Sequence, residues 1–171
     1  MAIVKASYTR SRGAAKANIR YIQHRKGREE TRATRTLFGI DGLMGKHDAY
    51  RMIDSAGEGS VFFRIIISPD PKGEDTQKDL RLWEITEHTM QTLEERIHKQ
   101  VAWAASEHND HTPNRHVHVL AIVAGRLNSQ DFQMLRQSAT QACVRQRQEL
   151  DLAQTQREQE REEVERERSV G

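Results

Sequence analysis

The fold is decided by the stretch Glu107-His108-Asn109-Asp110-His111-Thr112-Pro113-Asn114-Arg115-His116-Val117-His118-Val119-Leu120, which holds four of the chain's 8 histidines. The alternation in His116-Val117-His118 is typical of a β-strand, where residues two apart point to the same face. The apolar run that continues to Val123 indicates a strand in the interior of a sheet. The turn-forming residues before it predict a loop that returns His108 to the same end of the sheet.

Three imidazoles of this stretch predict a site for a divalent cation. If two antiparallel strands flank the loop, His108 lies close to His116 and His118. Three histidines that leave one coordination position open can hold a metal ion that does chemistry. The alternative is that these histidines are polar surface residues. We favour the metal site because imidazoles in a buried strand need polar partners, and one ion satisfies several together.

Length and composition favour one cytoplasmic domain. The chain has 171 residues, of which 30% are charged and 5% aromatic, so the core is modest and the surface highly polar. A single cysteine, Cys143, excludes an internal disulfide and fits a reducing compartment. Lys5 and Arg10 interrupt the N-terminal apolar run, which argues against a signal peptide, and no segment reaches transmembrane length. We therefore expect no membrane insertion.

Positive charge is concentrated in the first third of the chain. Residues 1–53 contain 12 Lys/Arg against 4 Asp/Glu, although the whole chain carries a net charge of only +2. Such asymmetry suggests a polyanionic partner, while simple solvated surface is the alternative. The side chains expected to contact phosphates are Arg12, Lys16, Arg20, Arg25, Lys26 and Arg28.

Hydrophobic periodicity and turn residues predict alternating strands and helices. The predicted strands are Ala2–Tyr8, Thr34–Ile40, Val61–Ser68, Val101–His108 and Arg115–Ala124. The predicted helices are Ala14–His24, Lys46–Ala56, one from Asp75 to about Lys99, and a last one from Ser129. This order predicts an α+β fold with a central, mostly antiparallel sheet of about five strands flanked by helices. We expect one domain over residues 1–145 and a charged helical tail over 146–171.

Tyr21 is predicted to lie off the buried face of its helix. Ala15, Ile19 and Ile22 share one face at spacings of four and three, and Tyr21 falls outside it. Neighbouring cations, among them Arg20, would suit a tyrosine that meets a phosphate. A tyrosine that covers the rim of the sheet is the alternative interpretation.

The order of these motifs resembles that of plasmid relaxases, or mobilisation nucleases, of the HUH endonuclease superfamily. The resemblance covers residues 1–143 and is carried by Asn18-Ile19-Arg20-Tyr21-Ile22, then Phe63-Arg64-Ile65-Ile66-Ile67-Ser68-Pro69, then His108-x-Asp110 and His116-Val117-His118. Replication initiators of the same superfamily place the nucleophilic tyrosine after the His-x-His strand. Here all three tyrosines precede it, which favours the relaxase arrangement.

The resemblance implies a metal-dependent endonuclease that nicks one DNA strand at a transfer origin in a bacterial cytoplasm. Mg²⁺ or Mn²⁺ would be bound by His108, His116 and His118, with His111 as an alternative to His108. Asp110 would assist catalysis. Tyr21 would attack the scissile phosphate and leave a 5′-phosphotyrosine and a free 3′-hydroxyl. The implied partners are single-stranded or locally melted DNA, accessory relaxosome proteins and a coupling protein.

Two other functions stay open from the sequence. One is a DNA-binding module that has the fold without the transesterification step. The other is a metal-dependent hydrolase that forms no covalent intermediate. Within the relaxase interpretation, Tyr8 is the main rival nucleophile because it ends the first predicted strand, and Tyr50 is less favoured because it lies in a separate helix.

Overall fold

The computed structural model describes residues 1–24, 34–109 and 113–171. The strands of this part are β1 (Ile3–Thr9), β2 (Leu37–Gly39), β3 (Gly42–Met44), β4 (Val61–Ser68), β5 (Ala102–His108) and β6 (His116–Val123). The helices are α1 (Arg12–His24), α2 (Lys46–Asp54), α3 (Leu82–Ile97) and α4 (Ser129–Val170). The strands form one sheet in the order β1-β4-β6-β5-β2-β3, and all five pairings are antiparallel. The predicted α+β class is confirmed.

The sheet has six strands because the segment predicted as one strand, Thr34–Ile40, is the first arm of a hairpin. Only Leu37 and Phe38 of that segment pair with β5, and a two-residue turn after Gly39 then leads into β3. Gly42 has φ of +104°, a conformation that glycine adopts without strain. Asp41-Gly42 predicts the end of a strand, whereas Asp41 lies in a hairpin turn and Gly42 begins β3.

Each face of the sheet carries its own hydrophobic core. On the face covered by α3 and α4, alternate residues of β4 and β6 pack with the helices, as Ile65, Val119 and Leu93 illustrate. On the opposite face, α1 and α2 pack on fewer residues of the same strands, including Phe62 and Leu120. We call these the α3/α4 face and the α1/α2 face. Burial of both faces explains why β4 and β6 read as continuous apolar runs.

Two predicted helix starts differ from the structure. α1 begins at Arg12 rather than Ala14, because the Ser11 hydroxyl accepts a hydrogen bond from the Ala14 N–H at 3.1 Å and caps the helix. α3 begins at Leu82 rather than near Asp75. The Asp75 carboxylate instead accepts a hydrogen bond of 3.2 Å from the Leu80 N–H and two of 2.8 and 2.9 Å from the Arg115 guanidinium, and residues 75–81 are not helical.

α4 runs without a break through the predicted boundary at residues 145 and 146. Arg147 is the last buried side chain of α4, and it donates hydrogen bonds to Asp79 and Asp151. Beyond Asp151 the helix is almost entirely exposed, as expected for a sequence of Glu, Arg and Gln with few apolar residues. Cys143 is buried and unpaired. Among the described helices, none is both long and apolar enough to cross a membrane.

Candidate functional site

The register of β5 and β6 brings three histidines together at one end of the sheet. His108 lies directly opposite His116, and Ser106 lies opposite His118. All four side chains project toward the α1/α2 face, since they alternate with residues of the other core. One ring nitrogen from each histidine lies within 4.8 Å of the others, and this is the one such group of potential ligands in the described ranges. The predicted clustering of His108 with His116 and His118 is therefore found.

Backbone carbonyls orient two of these rings. His108 is buried, and its Nε2 lies 2.8 Å from the Ile22 carbonyl oxygen. His116 Nδ1 lies 3.1 Å from the carbonyl oxygen of Asn114. A carbonyl only accepts, so each of these nitrogens is assigned the N–H. His116 Nε2 then accepts a hydrogen bond from His118 Nε2. In a metal-bound state, His108 Nδ1 and His116 Nε2 are the nitrogens that would bind the cation, which is the arrangement that metal-binding histidines usually show.

The spacing of one pair of ring nitrogens fits a shared metal ion. His116 Nε2 and His118 Nε2 are 3.2 Å apart. Two nitrogens bound to one ion at bond lengths of about 2.0–2.1 Å in tetrahedral geometry are about 3.3 Å apart. Imidazole nitrogens suit first-row transition ions better than Mg²⁺, which prefers oxygen ligands. Of the two predicted cations, Mn²⁺ therefore fits this set of donors better.

Helix α1 places Tyr21 beside the histidine cluster. The Tyr21 ring is 49% exposed and meets the His118 ring edge-on, with 6.4 Å between centroids and 77° between planes. The carbonyl groups in the last turn of a helix lack partners within the helix. The hydrogen bond from His108 to the Ile22 carbonyl oxygen satisfies one of them and links the last turn of α1 to β5. The same bond therefore fixes both the orientation of a potential metal ligand and the position of Tyr21. The prediction that Tyr21 lies off the buried face is confirmed.

Three of the predicted phosphate contacts have intramolecular partners. Arg12 donates to the carbonyl oxygens of Ile53 and Ala56 at the end of α2. Lys16 forms an ion pair of 2.7 Å with Asp54. The Arg20 guanidinium lies 3.3 Å from the Tyr50 hydroxyl, and its side chain is exposed. Arg12 and Lys16 thus join α1 to α2, and of the three only Arg20 lies next to Tyr21 in the chain.

The remaining predicted site residues lie outside the described part of the chain. They are Arg25, Lys26, Arg28, Asp110 and His111.

Two basic residues beside Tyr21 were missed in the sequence. Lys5 and Arg64 line an open groove of about 330 Å³ together with Tyr21 and His118. Both are exposed, and neither forms an ion pair with another residue of the described part. Arg64 had a detectable signal, because it is the one charge in the apolar strand Val61–Ser68. The signal for Lys5 was weaker: it is a charged residue that follows the apolar Val4, and consecutive residues of a strand point to opposite faces.

The groove exists because α1 and α2 cover only part of their face of the sheet. Lys5, Ile66, His118 and Ser106 lie in one row across β1, β4, β6 and β5. Adjacent strands are about 4.8 Å apart, so Lys5 and His118 are separated by about 10 Å at the backbone. At the end of the row, the Ser106 hydroxyl is buried and has no hydrogen-bond partner among the residues that the structure describes. A buried polar group directly opposite His118 is consistent with a role for this row beyond packing.

Tyr8 and Tyr50 are placed away from the histidines. Tyr8 pairs with Phe63 and projects to the α3/α4 face, on the opposite side of the sheet from His118. The expectation that Tyr8 could reach the same metal is therefore wrong, because residues of a strand alternate between faces. Tyr50 lies on α2, where its ring faces His47 and the Lys16 ammonium group. Tyr21 is the tyrosine in ring contact with the cluster.

No protein-family model matches the chain, and no curated protein or solved structure matches it either. The histidine cluster, Tyr21 and the groove are therefore the features on which a function can be proposed.

Proposed function

We propose that this chain is a metal-dependent endonuclease that nicks single-stranded DNA through a covalent tyrosine intermediate, as its resemblance to plasmid relaxases implies. The observation that carries the proposal is the convergence of three histidine nitrogens next to the half-exposed Tyr21. A histidine cluster alone fits many metal enzymes. The tyrosine at its edge, in a groove lined by unpaired basic residues, favours phosphoryl transfer to a side chain.

His108, His116 and His118 would hold the cation, with Mn²⁺ favoured over Mg²⁺ by the donor set. When bound, a divalent cation polarises a phosphate oxygen and offsets the negative charge that develops on it during displacement. His108 has a second task, because its hydrogen bond to Ile22 holds the helix turn that carries Tyr21. Metal binding and placement of the nucleophile therefore depend on the same imidazole.

The reaction at Tyr21 exchanges one phosphodiester for another. The phenol loses its proton, and a bond forms between its oxygen and phosphorus. The bond from phosphorus to the 3′-oxygen breaks, and this oxygen takes up a proton. The products are a 5′-phosphotyrosine and a free 3′-hydroxyl, so the ester bond is conserved and the step is reversible. Lys5 and Arg64 line the same groove as Tyr21 and would contact phosphates that neighbour the scissile one.

The substrate would be single-stranded or locally melted DNA. The groove is shallow and open and lies on the sheet, so it can accept an extended strand, whose phosphates attract Lys5 and Arg64. The biological setting implied by the resemblance is plasmid mobilisation, with accessory relaxosome proteins and a coupling protein as partners. The lone buried thiol of Cys143 fits the reducing cytoplasm of a bacterium.

A labelled single-stranded origin library with Mn²⁺ tests the proposal. The wild-type protein should form an adduct that survives denaturing electrophoresis. Tyr21→Phe should lose it while it keeps its fold and DNA affinity, because only the hydroxyl is removed. Loss of a nucleophile in other enzymes costs about 10⁶-fold, so the product should fall below detection. Tyr8→Phe and Tyr50→Phe are the matched controls, and both should retain the adduct.

The outcomes also separate the other two functions. Nicking without any adduct in the wild type would indicate a hydrolase that uses water instead of Tyr21. DNA binding with neither nicking nor adduct would indicate a binding module. An adduct that mass spectrometry maps to Tyr8 or Tyr50 would contradict the assignment of Tyr21.

A further inference from the structure

A second cavity lies across β1 from the groove, on the α3/α4 face. Its volume is about 250 Å³, and its walls include Tyr8, Phe63, Leu127 and Phe132. Tyr8 is 56% exposed, whereas Phe63 is buried and forms the floor. Packing of the core does not require a large, half-exposed aromatic side chain beside an open apolar cavity.

The three rings form a continuous aromatic surface. The centroids of Tyr8 and Phe63 are 5.8 Å apart, and those of Phe63 and Phe132 are 6.0 Å apart. Both ring pairs are tilted, so they offer faces and edges to a planar group that enters from solvent. Planar bases stack on such side chains in proteins that bind single strands.

Arg126 gives this cavity a positive rim. Its side chain is exposed, lines the cavity and forms no ion pair with the described residues. A guanidinium at the mouth of an aromatic cavity can bind a phosphate next to the base, or stack on the base itself. The charge therefore matches a nucleotide and opposes a cationic ligand.

The cavity and the groove are two sides of one edge strand. Ala6 and Ser7 line both of them. β1 is the edge of the sheet and pairs only with β4, so the polar groups on its outer side face away from the sheet. One strand occupies about 5 Å of sheet width, so a DNA strand that lies in the groove crosses this edge within a few nucleotides.

We infer that this cavity binds one unstacked nucleobase of the strand held in the groove, with Tyr8 and Phe132 as stacking partners and Arg126 on the adjoining phosphate. The inference rests on the proposed DNA-binding function and extends it. It gives Tyr8, which faces away from the metal ligands, a role in substrate binding. The site would hold a base close to the cleaved phosphate, and because stacking accepts every base, it would contribute to affinity and to the placement of the strand.

Fluorescence anisotropy with a fluorescein-labelled dT₁₂ oligonucleotide tests the inference in the Tyr21→Phe background. Tyr8→Ala should weaken binding about tenfold, within the range measured for loss of one stacked base. Tyr8→Phe should bind normally, because the ring remains. Leu43→Ala is the matched control, since Leu43 is also an exposed apolar side chain and lies on β3 at the opposite edge of the sheet. Arg126→Glu should also weaken binding and leaves the ring packing in place, so it guards against a folding defect in Tyr8→Ala.

Photocrosslinking of the same oligonucleotide with 5-bromodeoxyuridine supplies the second readout. Adducts should map to peptides that contain Tyr8 or Phe132. Normal affinity of Tyr8→Ala and Arg126→Glu, with crosslinks only to groove residues, would overturn the inference and leave the nuclease proposal intact. Failure of the parent protein to bind dT₁₂ at all would overturn the DNA-binding function and this inference with it.

Discussion

At the same end of β5 and β6, the two faces of the sheet carry polar clusters of different composition. On the α3/α4 face, Arg115 is 12% exposed and binds Asp75, Glu107 and the Leu80 carbonyl oxygen. The Asp75 carboxylate raises the pKa of Arg115 through this hydrogen bond. One residue further along the chain, on the α1/α2 face, His116 joins two other imidazoles whose nitrogens converge without a carboxylate among the three.

This difference distinguishes an ion-pair cluster from the cluster that the proposed function assigns to a metal ion. The Arg115 cluster contains both charges, so it is satisfied within the protein and contributes to stability alone. The histidine cluster contains only imidazoles, which are neutral or positive, so its members do not neutralise one another. In the proposed function, a cation from solution would complete it. Changes to the first cluster should therefore alter stability, and changes to the second should alter metal binding and catalysis.

The largest effect is expected from His118→Ala. Removal of a metal ligand should lower the nicking rate by at least about 10²–10³-fold, the usual loss when one charge-stabilising group is removed. Without metal, the unfolding temperature should stay close to that of the wild type, because the cluster has no compensating charges to lose. Nicking assays and calorimetry of the metal-free protein give the two values.

His88→Ala is the matched control for this change, since His88 lies on α3 and thus on the other face. It should nick at the wild-type rate. A His118→Ala protein that nicks normally with Mn²⁺ would contradict the assignment of the histidine cluster to metal binding and catalysis.

Asp75→Asn should produce the next largest effect, and it should act on stability. Breaking a buried ion pair by removing one partner costs 3–5 kcal/mol, and we expect about 3 kcal/mol because Arg115 keeps Glu107 and Leu80 as partners. For a chain of this length, the unfolding temperature should fall by about 6–12 °C. The stoichiometry of bound Mn²⁺ should not change. A loss of metal binding with unchanged stability would reverse the roles assigned to the two faces.

The sequence predicted the class of fold and the clustering of the three histidines well, and it did not predict the intramolecular partners of the basic side chains. The His-x-His alternation on an apolar strand requires that both rings share a face, so that part follows from strand geometry. The partners of Arg12 and Lys16 are α2 carbonyls and Asp54, which are about 40 residues away in the chain. A charge count over residues 1–53 cannot detect such pairing, because it depends on how the helices pack.

Arg64→Ala sharpens the contrast between paired and unpaired cations within the α1/α2 face. Each phosphate contact to single-stranded DNA contributes about −0.7 to the slope of log K against log salt concentration. Arg64→Ala should reduce the slope by about this amount. Lys16→Ala should leave the slope unchanged, because Lys16 is already neutralised by Asp54. Titrations of dT₁₂ at several salt concentrations measure the slopes of both variants. Equal slopes would contradict the assignment of the groove as the DNA-binding surface.

Asp131 should give the smallest effect, confined to stability and dependent on pH. It caps α4 together with Asn128 and pairs with Arg96 of α3. The hydrogen bond from the Asn128 backbone N–H, with help from Arg96, holds the pKa of Asp131 below its usual range. Its stabilisation is therefore complete above the unfolded pKa, near 4, and is lost as the pH falls through the lower folded value.

Asp131→Asn should accordingly be about 1 kcal/mol less stable than the wild type at pH 7, the usual cost of losing a helix cap. This gap should close as the pH is lowered below about 4. Urea unfolding at a series of pH values measures it, with nicking at pH 7 as the control for an intact site. A stability difference that grows toward low pH would contradict the lowered pKa of Asp131.

Electron paramagnetic resonance of Mn²⁺ titrated into the purified full-length chain tests most directly whether the histidine cluster is a metal centre. We expect one bound Mn²⁺ per chain, with couplings from imidazole nitrogens in the pulsed spectrum. His116→Ala and His118→Ala should each lose the bound signal, and His88→Ala and Asp75→Asn should keep it. A spectrum of free Mn²⁺ in the wild type, or a bound signal without nitrogen couplings that survives both histidine substitutions, would contradict the metal centre and the nuclease proposed from it.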